Sequence, residues 1–357
     1  MNPRNLELVK ENLSFQSQDV KALFRERITP ETDLPPMQPL FEMFGSPCFY
    51  RGELVADCGK AKSGKTTFLS ILMAGALKEQ LLSLKRLSDV PLKVLWIDTE
   101  QSQQSTQEIL KQRIMPLAEV ETLDETQFYA FNLRGLGFEK REKMVELAIN
   151  EIEPDICIID GVKDLMTDIN DAPQATRIME KLMTQAKLHN CCIVCVLHQN
   201  KAEQDRNMRG SIGTELTNKA FEVFQCEMIG ESDTFKVTQT FSRKKKMNRH
   251  LYYRLDETGQ PVEVADYREQ PRDAKGRWTS TQTHEDLQAL FAKAFEGKNQ
   301  RPFKEVMAVA LRKCGVVDRN AFYTYLQQAE DLDIIEKQVH PETGETWIKL
   351  LDNALPF

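Results

Sequence analysis

Gly59-Lys60-Ala61-Lys62-Ser63-Gly64-Lys65-Thr66-Thr67 reads G-x-x-x-x-G-K-T with a second threonine after it. This is the pattern of a phosphate-binding P-loop, and its flanks decide whether it is one. Upstream, Gly52-Glu53-Leu54-Val55-Ala56-Asp57 reads as a strand. Downstream, Leu69, Leu72, Met73, Ala76 and Leu77 recur at helical spacing. Strand, loop and helix in that order are the context the motif requires. Gly59 and Gly64 allow the backbone to curl until its N–H groups converge on phosphate oxygens. The helix N-terminus adds a partial positive charge. Lys65 then reaches the β- and γ-phosphates, and the Thr66 hydroxyl is placed for Mg²⁺. A chance Gly/Lys-rich turn would lack both flanks.

Outward from this loop, strands and helices alternate from about residue 48, which predicts an α/β fold with a mainly parallel central sheet. Lys93–Asp98 is a strand ending in Thr99-Glu100, and 102–115 looks helical. Phe128–Phe131 is a short strand, and a helical stripe follows over 139–151. Asp155–Asp160 is an apolar strand ending in an acid. A helix opening near Pro173 leads to the strand Cys191–Leu197, which ends in His198-Gln199. Strand-like runs recur at 221–228, 234–241 and 250–255.

The ends of the chain read differently. Residues 1–44 form an N-terminal arm with a proline-rich connector, Thr29–Pro39. It packs on a neighbouring subunit or is a loosely ordered tail. After the P-loop domain, 45–265, a polar stretch over 266–282 reads as a linker. Residues 283–357 pattern as three helices and a hairpin around Pro341-Glu342-Thr343-Gly344. Thr283 caps the first helix and Asp318 starts the third. This small α+β unit resembles a winged helix.

The 357 residues exceed one ordinary core, and 41% of them are apolar, enough for globular folding. No apolar run is long enough to span a membrane, and MNPRNLELVKENL carries no hydrophobic signal segment. The net charge of -7 means that nucleic-acid contact must come from local basic patches. The eight Cys read as reduced buried thiols and fit a cytoplasmic protein. Cys192 and Cys195 form a C-x-x-C, but residues three apart on a strand face opposite ways, against a shared metal.

The strand ends carry the remaining chemistry. Asp160 is placed to hold the Mg²⁺ complex. Glu100 lies at the edge where ligands of α/β sheets gather and is a candidate for polarising an attacking water, with Asp98 its nearest competitor. His198 and Gln199 are placed to sense a γ-phosphate and couple it to Asn200–Gly213. In that segment Lys201, Arg206 and Arg209 are candidates for gripping single-stranded DNA, unless it is an ordinary exposed loop. Arg243-Lys244-Lys245-Lys246-Met247-Asn248-Arg249 is the densest basic run. It supplies a cation to a neighbour's γ-phosphate, contacts DNA, or is a solvated hairpin tip.

Taken in order, GELVADCGKAKSGKTT, VLWIDTEQ, ICIIDGVKDL, VCVLHQN and the basic turn resemble the RecA-fold ATPases. Within them the chain resembles the RepA-type and DnaB-type branch of hexameric replicative helicases. Arg209-Gly210-Ser211 and the TELTNKAFEVFQC that follows resemble RepA-type proteins of plasmids and mobile elements. The resemblance implies ATP held by Gly59–Thr67, with Thr66 and Asp160 on Mg²⁺. It implies Glu100 as the catalytic carboxylate and Gln199, beside His198, as the γ-phosphate sensor. It places Arg243, Lys244 and Lys245 where that family keeps its trans-acting Lys and Arg. A homo-oligomer, a hexameric ring with single-stranded DNA in its channel, follows from the same likeness. Lys60 and Lys62 depart from the small or apolar residues usual in that loop, and the C-terminal unit is an addition to a minimal RepA-type helicase.

The C-terminal unit has nine Lys and Arg against twelve Asp and Glu. Its third helix, over 319–328, offers Arg319, Asn320, Tyr323, Thr324, Gln327 and Gln328 to a duplex groove or to a protein. The functional expectation is an Mg-dependent ATPase motor acting on DNA, with helicase activity as its fullest form, in replication or mobilisation of a plasmid or mobile element. A nucleotide-switched DNA-binding adaptor without unwinding is the alternative, and a small-molecule kinase is a third reading.

Overall fold

The computed structural model describes residues 18–200, 205–229, 233–265, 267, 284–316, 318–340 and 344–351. The chain divides into two compact units, 1–265 and 266–357.

In the first unit, helix α1 (Gln18–Arg25) precedes strands β1 (Pro39–Met43), β2 (Ser46–Tyr50) and β3 (Leu54–Gly59). Helix α2 (Lys65–Leu77) follows the P-loop, then β4 (Gln80–Leu81), β5 (Leu84–Arg86) and β6 (Val94–Asp98). Helix α3 (Gln103–Ile109) runs through a π-turn (Leu110–Ile114) into α4 (Met115–Ala118). Next come β7 (Phe128–Asn132), α5 (Phe138–Ile152) and β8 (Ile156–Asp160), with a 3-10 turn at Val162–Leu165. Helix α6 (Ala172–Leu188), β9 (Cys192–His198) and α7 (Gly210–Lys219) lead to β10 (Glu222–Met228), β11 (Thr234–Ser242), β12 (Leu251–Leu255) and β13 (Pro261–Glu263).

These strands form a nine-stranded sheet in the order β13-β12-β11-β10-β3-β9-β8-β6-β7. From β10 to β7 all neighbours are parallel; β11, β12 and β13 add an antiparallel flank. The central strands are apolar over most of their length because helices cover both faces. Val55, Val194 and Val196 pack with α2, whereas Leu54, Ala56, Ile193 and Leu197 pack with α5, α6 and α7. Cys192 and Cys195 fall in these two different layers, and all the cysteines are free thiols.

The strand order fixes the site. One strand, β9, lies between the P-loop strand β3 and the strand β8 that ends in Asp160. Gly59 pairs with His198, Val196 with Asp160, and Asp160 with Asp98. Four strand ends that carry candidate residues therefore reach one edge of the sheet.

The folded core begins earlier than residue 45. Strand β1 starts at Pro39 and pairs with β2 and β5, in a second sheet of order β2-β1-β5-β4. Proline is admissible there because it is the first residue of the strand. Helix α1 has no buried residue. Among the described residues no helix is long and apolar enough to cross a membrane.

The second unit contains α8 (His284–Phe295), β14 (Gln300–Pro302), α9 (Phe303–Lys313), α10 (Arg319–Asp331), β15 (Ile335–Val339) and β16 (Thr346–Leu350). Its antiparallel sheet has the order β14-β16-β15. Leu287, Phe291, Phe295, Val306, Phe322, Leu326 and Ile348 form its core. Strand β14 was absent from the expected pattern, being too short to show a period. Asp318 caps α10 by accepting from Ala321 N at 2.8 Å. The expected Thr283 cap and Pro341–Thr343 of the hairpin lie outside the described residues, as does all but Tyr267 of the expected linker.

Candidate nucleotide site

The P-loop leaves β3 at Gly59, where a Cβ would strike Ser63 Oγ and the Cys226 carbonyl. Lys62 and Gly64 both take left-handed backbone, with φ of 62° and 88°. At Gly64 a side chain would also meet Tyr253 Oη at 2.5 Å and Phe235 at 2.7 Å. Tyr253, stacked on Phe235 at 5.2 Å, donates to Gly64 O at 3.0 Å. The antiparallel flank thus braces the loop, a contact that no local sequence signal announced.

Lys65 is buried at the start of α2. Its Nζ donates to Lys60 O at 2.8 Å, Gly59 O at 3.1 Å and His198 Nδ1 at 3.2 Å. An ammonium only donates, so His198 Nδ1 accepts and its proton sits on Nε2. That Nε2 lies 3.5 Å from Glu100 Oε2. Glu100 Oε1 is 2.8 Å from Lys163 Nζ, in the 3-10 turn after β8. The nearby His198 imidazole, together with the Lys163 ammonium, holds the Glu100 carboxyl down to about 2 against the burial that would raise it.

Asp98 is committed elsewhere. Its Oδ1 accepts from Glu100 N and Gln101 N, both at 3.0 Å, and its Oδ2 accepts from Thr106 Oγ1 at 2.5 Å. It anchors the segment carrying Glu100, and both of its oxygens are engaged within that segment. Asp160 is the reverse case. Its Oδ2 is buried with no hydrogen-bond partner, and burial, then Asp98, Glu100 and Asp57, push the carboxyl up to about 8. Asp57, on β3 beneath the loop, is likewise buried; it is pushed up to about 7, chiefly by burial, and accepts from Cys226 Sγ at 3.3 Å. The sequence reading passed over Asp57 because a single acid in a strand carries no pattern.

His198 and Gln199 connect this edge to the loop beyond. Gln199 N donates to Gly59 O at 3.2 Å, and its Nε2 donates to Arg206 O at 2.6 Å. Arg209 N donates to the His198 carbonyl at 3.0 Å. Arg206 and Arg209 are exposed, and Lys201 lies outside the described residues.

The basic turn lies elsewhere. Ser242 pairs with Glu222, which pairs with Val55, at the start of β3. Arg243–Arg249 therefore follow from the edge opposite the P-loop and do not join Lys65 and Glu100 within one chain. Arg243 donates to Asn218 O at 2.9 Å and Ala220 O at 3.3 Å, at the C-terminal end of α7. Arg249 stacks over Phe44, 4.4 Å from the ring centre. Lys244 and Lys245 are exposed. In the second unit, Arg319, Asn320, Tyr323 and Gln327 are exposed on α10, whereas Thr324 and Gln328 are half-buried.

A polar cavity of about 420 Å³ adjoins Thr66, lined by Gln101, Ser105, Gln112, Arg113, Thr258 and Gly259 among others. Arg113 comes from the π-turn, a distortion frequent at functional sites. These lining residues had no motif to betray them. Another cavity, of about 270 Å³, lies between α5 and α6.

The donors suit a phosphate-bound Mg²⁺. Among the described residues no group of three or more His, Cys, Asp or Glu could hold a metal alone. Mg²⁺ typically binds through one or two protein oxygens plus substrate phosphates. The unpartnered Asp160 Oδ2 and the unpartnered, buried Ser63 Oγ supply that kind of incomplete site.

Residues 31–204 match the family model described as an AAA domain. The match spans the P-loop, Glu100, Asp160 and His198-Gln199. Match and strand order together support a RecA-like P-loop ATPase core. No curated protein matches the chain significantly. Two solved structures are similar in fold. A KaiC-like protein from Pyrococcus horikoshii OT3 has 12% identity and a TM-score of 0.46, covering 63% of this chain and 93% of its own. The RadB recombinase has 16% identity and a TM-score of 0.43, covering 61% of this chain and 94% of its own.

Proposed function

We propose that the first unit is an Mg-ATP-hydrolysing motor that acts on DNA, in replication or mobilisation of a plasmid or mobile element. The observation that carries this reading is one line of contacts. Lys65, His198 and Glu100 are linked side chain to side chain. The same strand end holds the 205–209 loop through Gln199 Nε2 and the His198 carbonyl. A change at the phosphates is thereby transmitted to a loop carrying exposed Arg206 and Arg209.

Lys65 and the backbone of Gly59–Thr67 hold the phosphates, and the cavity beside Thr66 takes the base and ribose. Thr66 and Asp160 would hold Mg²⁺, which neutralises charge on the phosphates. Glu100 orients and deprotonates the attacking water. His198 and Gln199 register the γ-phosphate once Lys65 turns to it. Lys245 of a neighbouring copy approaches the γ-phosphate across an oligomer interface; Arg243 is the lesser candidate because its guanidinium caps α7. The second unit, in the order helix, strand, helix, helix, strand, strand, is a winged helix whose α10 face docks on duplex DNA or protein.

A nucleotide-switched DNA-binding adaptor is the second reading. The engagement of both Glu100 oxygens, by Lys163 and His198, favours it. Phosphate release from Mg-ATP, with and without single-stranded DNA, separates the two. The motor predicts strong stimulation by DNA. Glu100→Gln then lowers turnover at least about 100-fold with nucleotide binding intact. Slow turnover indifferent to DNA and to Glu100 would leave the adaptor.

A further inference from the structure

The turn after β8 is built to present one cation to Glu100. Gly161 takes φ of 104°, and a side chain there would meet the Glu100 Cγ at 2.8 Å, so the glutamate packs directly on the turn. Thr99 Oγ1 lies 2.9 Å from both Asp164 Oδ2 and the Asp160 carbonyl oxygen, with its one proton to share between them. Arg141, from α5, donates to the Asp164 carbonyl at 3.1 Å. Lys163 sits between these fixed points and is about one-third exposed. Its ammonium meets Glu100 Oε1 at 2.8 Å while His198 faces Oε2.

The other end of this segment is tied to the candidate DNA loop. Ile212 N donates to Ile169 O at 3.3 Å, and Ser211 Oγ donates to Asn170 O at 2.9 Å. Gly210 packs against Ile169 so closely that a Cβ would lie 2.5 Å from its carbonyl oxygen. The start of α7 is thus bonded to the chain that continues from the Lys163 turn. On the opposite side, Arg209 is bonded to His198. Both groups that engage Glu100 are mechanically connected to one loop.

We propose that Lys163 is a positioning residue that restrains Glu100 from activating water until displacement of the 205–213 segment loosens the turn that carries it. The inference rests on Glu100 being the water-activating carboxylate. A carboxylate committed to an ammonium and an imidazole N–H is a poor proton acceptor. Moving the ammonium away removes one of the two groups that lower its basicity, without moving Glu100 itself. Such a restraint makes the site slow alone and fast when the loop is engaged.

The test is steady-state phosphate release from Mg-ATP by the full chain carrying Lys163→Met, Lys163→Arg or Glu100→Gln, each with and without an oligo-dT strand. Lys163→Met keeps the length of the side chain and removes its charge. The expected result is a rise of about tenfold or more in kcat without DNA, an unchanged KM for ATP, and a smaller ratio of stimulated to basal rate. Lys163→Arg keeps the restraint and the low basal rate. A basal kcat that is unchanged or reduced in Lys163→Met, with normal ATP binding, overturns the restraint. If Glu100→Gln retains full turnover, the underlying assignment of Glu100 fails instead. An inactive Glu100→Gln beside an unaltered Lys163→Met refutes the restraint alone.

Discussion

At the scale of single residues, the site depends on side chains whose neighbours decide their chemistry. Asp98 and Glu100 stand two positions apart, yet only Glu100 faces the P-loop Lys65 through His198. Asp98 is spent on two backbone N–H groups and Thr106. Gly161 marks how tight the edge is. A methyl group there meets Thr99, Glu100 and Asp164 together, in a backbone conformation that disfavours any side chain. Gly161→Ala is expected to destabilise the protein by about 2 kcal/mol or more. It should also lower turnover by displacing Glu100. Thermal unfolding and phosphate release check both, and a variant indistinguishable from the parent in each would contradict the packing described.

At the scale of elements, the parallel strands put chemistry at one edge, and the antiparallel flank carries the basic run to the other. Arg243 and Lys245 are neighbours in sequence with different work. The Arg243 guanidinium satisfies carbonyls at the end of α7, where a cation also suits the helix dipole. Arg243→Ala should cost about 1 kcal/mol of stability. Lys245→Ala should leave stability unchanged and produce the larger fall in turnover. Urea unfolding beside phosphate release distinguishes them, and the reverse ranking would return Arg243 to the active role. The π-turn after α3 belongs here too. It delivers Arg113 to the cavity beside Thr66, an outcome that helical periodicity does not encode.

At the scale of the whole molecule, buried acids set the response to pH. Burial pushes Asp57 and Glu222 up to about 7, well above their usual range near 4. The folded state therefore keeps protons that the unfolded chain sheds above pH 4. Stability falls as pH rises from there towards 7, by about 1.4 kcal/mol per pH unit for each of the two acids. Glu100 acts in the opposite sense, contributing above pH 4.5 and losing that contribution as pH falls towards 2. The urea midpoint should be higher at pH 5.5 than at pH 8, and an equal or lower value at 5.5 would refute this balance. The sequence by itself determined the P-loop, the α/β class and the strand ends bearing Glu100, Asp160 and His198. Those signals are local: glycine spacing, apolar runs, and a polar residue where each run stops. Only the tertiary structure decided that Asp98 is structural and Lys163 faces Glu100. It alone braced the P-loop with Tyr253 and set the basic turn at the far edge. Those facts depend on strand order and register, which bring together residues distant in sequence, and no local pattern carries that information.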